Sequence, residues 1–123
     1  MSKTPNSKQY DLEERTFLFA KRVRSFCRKV KKSPANIEDT KQLVRASGSV
    51  GANYIEANES LGKKDFLMRI KISRKEAKEC RYWLRLIDLN NNPDIVEERN
   101  ILMKESEELM NIFGAIYRKS NKQ

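Results

Sequence analysis

The chain of 123 residues has no histidine, two cysteines, four glycines and three prolines. Without imidazole it lacks the side chain most used for proton transfer and metal ligation near neutral pH. A di-iron four-helix centre, which needs Glu-x-x-His pairs, is therefore excluded. So is a helical ribonuclease built on an Arg and His pair. Nor do the few glycines form a phosphate-cradling loop, because Gly48-Ser49-Val50-Gly51 runs on into Ala52-Asn53 rather than Lys-Ser. Glu56, Glu76 and Glu79 remain as candidate acids, and Asn53 and Glu56, one turn apart, are expected to be partly buried and hydrogen-bonded across the fold. General acid–base or metal chemistry would need several carboxylates to converge, and their spacing does not show that. No catalysis, cofactor or metal is expected.

Long apolar runs are missing too. No stretch approaches the eighteen or so residues that cross a bilayer, and the first fifteen residues hold only Met1, Tyr10 and Leu12 as sizeable apolar side chains, which is no leader pattern. A cytoplasmic, reducing setting without a membrane partner is expected. Cys27 beside one apolar stripe and Cys80 on another then read as small buried hydrophobes rather than a disulfide.

What is present is charge and helical periodicity. Charged residues make up 35% and apolar residues 38%, with a net charge of +9. This is the composition of one soluble all-α domain. Residues 1–10 are polar, without periodicity, and read as a disordered tail. A first helix is predicted over about 11–32, opened by Asp11, Glu13 and Glu14 at the positive end of its dipole, with Leu12, Thr16, Phe19, Val23, Phe26 and Val30 on its seam. Ser33-Pro34 breaks it. A second, capped by Asn36, covers about 36–60 with Leu43, Ser47, Val50, Tyr54, Ala57 and Leu61 inward. Ser47, Gly48, Ser49, Gly51 and Ala52 leave its backbone nearly bare, so another helix must approach closely there.

Leu61-Gly62 reads as its C-cap, with glycine in left-handed geometry. A third helix over about 63–90 carries Phe66, Ile70, Ser73, Ala77, Cys80, Leu84 and Ile87 at alternating spacings of four and three. Asn90-Asn91-Asn92-Pro93 stops it and starts a fourth, about 93–119. That helix has two adjacent apolar rows: Ile95, Leu102, Leu109, Phe113 and Ile116, and beside them Val96, Met103, Met110 and Tyr117. Short connections favour an up-down-up-down antiparallel four-helix bundle over 11–120. The wide stripes on helices one and four leave apolar surface for a homo-oligomer.

Arg45-Ala46-Ser47, Ser49-Val50-Gly51-Ala52-Asn53, Glu56-Ala57, Lys64-Asp65-Phe66, Lys71-Ile72-Ser73, Lys75-Glu76-Ala77 and Tyr82-Trp83-Leu84 resemble the signature of the bacterial four helix bundle protein family. That family takes in proteins encoded in intervening sequences of large-subunit ribosomal RNA genes. It also includes accessory variability determinant proteins of diversity-generating retroelements. The resemblance covers about the middle third of the chain. It implies a ring of five subunits and, for the retroelement members, association with a reverse transcriptase.

The basic residues are unevenly spread. Residues 11–32 hold eight basic and three acidic side chains and residues 63–90 nine and four, whereas 33–62 hold two and four and 93–123 five and six. On the first helix Arg15, Lys21, Arg22, Arg28 and Lys29 stand off the seam. On the third, Lys64, Lys71, Lys78 and Arg85 recur every seven residues with Arg74 and Arg81 alongside. These eleven are the candidate binding residues for RNA or DNA, through phosphates and without base readout. In an up-down bundle helices one and three are diagonal, so the two basic sides need not merge on one subunit; in a ring they could merge across subunits or line a channel. The competing readings are a solvated basic face laced by pairs such as Lys75–Glu79, and a scaffold for an acidic protein partner.

Overall fold

The computed structural model describes residues 7–122. Four helices account for nearly all of them: α1 (Ser7–Lys29), α2 (Pro34–Asn58), α3 (Lys63–Leu86) and α4 (Pro93–Asn121). No strand occurs among the described residues. The four form a single all-helical domain in which α2 packs on α1 and α3, and α4 on α3 and α1. No direct packing joins α1 to α3.

The predicted seams are the core. Leu12, Thr16, Phe19, Val23, Phe26 and Val30 of α1 are all buried, as are Ile70, Ser73, Ala77, Cys80 and Leu84 of α3, with Ile87 just beyond it. From α2 come Leu43, Ser47, Val50, Tyr54 and Ala57, and from α4 Leu102, Leu109 and Phe113. The Tyr54 and Phe113 rings meet at 5.5 Å across the middle. Leu61, assigned to the α2 seam by its spacing, is instead fully exposed, because α2 ends at Asn58 and its periodicity no longer applies.

The bare stretch of α2 is approached from both sides. A methyl group on Gly51 would lie 2.8 Å from Thr16 Oγ1, so α1 sits directly on that glycine. On the other side Ser73 Oγ donates to the Val50 carbonyl at 2.9 Å, a bond from the α3 seam to the α2 backbone that bulkier neighbours would prevent.

Helix ends depart from expectation in instructive ways. α1 begins at Ser7, so residues 7–10 are helical rather than tail, and Asp11, Glu13 and Glu14 stand beyond its first turn; residues 1–6 lie outside the described residues. It also closes three residues early, at Lys29. Ser33, not Asn36, caps α2: in extended geometry before Pro34 its Oγ accepts the Asn36 N–H at 3.1 Å, and Pro34 takes the first helical position. Asn36 is buried instead. Its Nδ2 donates to the carbonyls of Lys31 and Asp88 at 2.9 Å each, and its Oδ1 accepts the Asp88 N–H at 3.0 Å. One amide thus joins the α1–α2 turn to the chain leaving α3.

Gly62 is not a left-handed C-cap. It is extended, with φ −156°, at the N-cap of α3, while α2 closes at Glu59. α3 ends at Leu86 rather than Asn90, and the chain leaves in extended form so that Ile87 and Leu89, two apart, both reach the core. Asn90 and Asn91 then take positive φ, 53° and 61°, and Asn92 caps α4 by accepting the Asp94 N–H.

α4's second apolar row is used within the chain: Val96, Met103, Met110 and Tyr117 are half-buried against the core. The apolar surface left over lies mainly elsewhere, on Phe17 and Leu18 of α1, Ile55 of α2, and Met68, Tyr82 and Leu86 of α3. Among the described residues no helix is long and apolar enough to cross a membrane.

Candidate nucleic-acid interface

Neighbouring helices sort the eleven predicted cations into two groups. Arg15 Nε and Nη2 donate to the two carboxylate oxygens of Glu105 at 2.7 Å, and Nη2 also reaches Glu108 at 2.9 Å. The bond to Glu105 raises the Arg15 pKa above its ordinary value against the opposing effect of burial. Lys29 Nζ donates to Glu98 at 3.0 Å. These contacts have a common cause: basic side chains of α1 stand along an acidic row on α4, Arg15 at Glu105 and Glu108 and Lys29 at Glu98. Arg81 pairs with Glu107 of α4 at 3.4 Å. Arg15, Lys29 and Arg81 therefore hold helices together, and their charge is already answered.

The other eight are exposed and make no ion pair among the described residues: Lys21, Arg22 and Arg28 on α1, and Lys64, Lys71, Arg74, Lys78 and Arg85 on α3. The α3 set follows one side of the helix, and at 1.5 Å per residue spans about 32 Å from Lys64 to Arg85. The Lys75–Glu79 pair that would mark an ordinary solvated face does not form. Glu79 is 3.8 Å from Arg45 of α2 instead. Because α1 and α3 do not touch, the two basic groups stay apart within one chain.

Of the candidate acids, Glu76 and Glu79 meet at Arg45 and Glu56 stands apart. Glu56 is exposed, and Asn53 bonds Ser49 within α2 and accepts from Arg69 of α3 at 3.0 Å, so of that expected pair only Asn53 is bonded to another helix. Glu76 is buried, with Oε2 3.9 Å from Arg45 and Oε1 without a hydrogen-bond partner. No group of three or more Cys, Asp or Glu side chains suited to a metal ion occurs among the described residues. Burial raises the Cys27 thiol to about 11 and the Cys80 thiol higher still, so both are inert hydrophobes at neutral pH.

Sequence reasoning missed Arg118. Its Nη1 and the Nε of Arg74, on α3, lie 3.3 and 3.4 Å from where a Gly114 methyl would be. The signal was available in half: a glycine inside an otherwise regular helix with an arginine four residues on.

Four helices around one core, with a cationic side along the third, define a basic four-helix-bundle protein. The family model described as 23S rRNA-intervening sequence protein matches residues 8–115, and the chain belongs to that family. A crystal structure of a protein of unknown function from the S23 ribosomal protein family, from Bacteroides thetaiotaomicron VPI-5482, is similar at 27% identity and a TM-score of 0.75, covering 90% of this chain and 98% of that one. No curated protein matches.

Proposed function

We propose that this protein is a non-enzymatic, cytoplasmic nucleic-acid-binding bundle that holds RNA, or an RNA–DNA hybrid, by its phosphates. The observation that carries this reading is the α3 stripe: five exposed cations over about 32 Å with no carboxylate partner among the described residues, in contrast to Arg15, Lys29 and Arg81, which pair with carboxylates of α4. Paired cations would have little left for phosphates; unpaired ones release counterions when a strand binds. RNA comes first because the family's description names a 23S rRNA intervening sequence. The helices run up-down-up-down, and five copies close a ring that brings α1 and α3 cations of different subunits together. In the retroelement branch of the family the partner in this reading is a reverse transcriptase.

The test is a titration of labelled RNA and DNA at several salt concentrations. Five phosphate contacts give a logarithmic slope of about −3.5 for a single strand, close to a hundredfold loss of affinity between 50 and 200 mM salt. Replacing Lys71, Lys78 and Arg85 by glutamine flattens the slope for every sequence alike. Absence of binding below roughly 10 μM at 50 mM salt refutes the reading. Light scattering that returns only the 14.5 kDa chain refutes the ring.

A second reading, a scaffold for an acidic protein, draws on the α1–α2 groove. It is about 380 Å³, floored by Gly48, Gly51 and Ala52, with exposed Phe17 and Ile55 on its sides and Lys21 and Arg24 beside it. It expects no salt-dependent RNA binding.

A further inference from the structure

Gly114 is buried in the last third of α4, inside the helix, where glycine is less favourable than alanine. No turn needs it, because its φ is not positive. What it provides is space. Side chains on a helix lean toward the N-terminus, so Arg118 lies back over the residue four before it, while Arg74 reaches the same point from α3. Two guanidinium groups from different helices thus converge on one side-chain-free patch of backbone, with Nη1 of Arg118 and Nε of Arg74 both within 3.4 Å of the missing methyl. Neither has a carboxylate partner among the described residues. Two cations held this close repel, and an anion between them turns the repulsion into attraction.

We propose that Arg74, Gly114 and Arg118 form a seat for one phosphodiester of a bound strand, the point at which the α3 stripe fixes the position of the nucleic acid. This rests on the reading of the α3 side as a phosphate-binding surface and adds to it a fixed register. A guanidinium presents a planar fork of donors that matches phosphate oxygens, which an ammonium does not. Two forks facing each other over bare backbone can each take one non-bridging oxygen. Lys71 and Lys78, on the same side of α3 one turn either way from Arg74, meet the adjoining phosphates as point charges.

Gly114→Ala provides a test that leaves the net charge unchanged. Its methyl would lie 3.3 Å from Arg118 Nη1, a flexible tip that must give by a few tenths of an ångström, and 3.4 Å from Arg74 Nε, an ordinary contact, so it fills the space between the two forks while alanine favours the helix. The variant should therefore fold at least as firmly, by thermal melt, and bind a labelled twenty-residue oligouridylate about tenfold more weakly at 100 mM salt. Arg74→Lys with Arg118→Lys, which also keeps the charge, should lose a similar factor. Lys71→Gln, which removes a charge, should lose less. In a double-mutant cycle Arg74→Gln and Arg118→Gln should be strongly non-additive. If the unaltered protein binds but Gly114→Ala and the double lysine variant bind equally well, the seat is refuted and the phosphate-binding surface stands. If the unaltered protein does not bind the oligomer at low salt, both fall.

Discussion

Two glycines three residues apart on α2 should respond to the same substitution in opposite directions. Gly51→Ala places a methyl 2.8 Å from Thr16 Oγ1 and 3.2 Å from Thr16 Cβ, and 3.8 Å from the Thr16 backbone carbon. Thr16 is fully buried and its hydroxyl is held by the carbonyls of Leu12 and Glu13 at 3.0 and 2.9 Å, so α1 itself must move outward. Overpacking of this kind costs about 1–3 kcal/mol, against a gain of about 1 kcal/mol from replacing a helical glycine. A net loss of about 1 kcal/mol follows. At Gly48 the only near atom is Nη2 of Arg24, at 3.3 Å, the tip of a flexible side chain. There the helical gain should survive, about 0.5–1 kcal/mol. Chemical denaturation should place the two variants on either side of the parent, and melting temperatures should separate them by several degrees. Thr16→Ala in the Gly51→Ala background should recover part of the loss, since it removes Oγ1, the closest atom in conflict, and leaves only Cβ at 3.2 Å. A Gly51→Ala protein as stable as Gly48→Ala would refute the close α1–α2 approach.

Arg15→Gln removes the bonds to Glu105 and Glu108 that join α1 to α4. It should cost about 1 kcal/mol, less at high salt, yet leave the salt slope of RNA binding unchanged, because that charge is already committed; a flattened slope would place Arg15 on the binding surface. Asn36→Ala strands the Asp88 N–H and the carbonyls of Lys31 and Asp88, and should cost about 2–3 kcal/mol in denaturant titration, whereas Ser33→Ala, which loses one capping bond, should cost about 1 kcal/mol. A larger effect at Ser33 would contradict the bridging role of Asn36. Burial raises the folded thiol pKa values, that of Cys27 to about 11, so below the unfolded value near 9 their contribution is fully present, and it is lost as pH rises from about 9 toward 11. A Cys27→Ala, Cys80→Ala protein should therefore lose less stability than the parent over that window, and equal losses would show that the thiols are not desolvated.

The apolar seams were legible in the sequence because burial along a helix repeats with the helix's own period, a local property. All six seam positions of α1 and those of α3 from Ile70 onward are in the core for that reason. The breaks at Pro34 and at Asn90–Pro93 were legible too, since proline and left-handed asparagine act on their own backbone. Ends that depend on distant partners were not. Either Ser33 or Asn36 can cap a helix; Pro34 favours Ser33 locally, but that the Asn36 amide bridges to Asp88, fifty-two residues away, is set by packing alone. α3 stops early because Ile87 and Leu89 find a core to enter. The binding side divides in the same way. Sequence placed eleven cations off the seams, but which of them are free depends on which helix lies alongside: α4's acidic row takes Arg15, Lys29 and Arg81, and nothing comparable faces the α3 stripe. Gly114 carried no meaning until Arg74, on another helix, was seen to lie across it. Periodicity is written in neighbouring residues; charge pairing is decided between helices, by register that only packing sets.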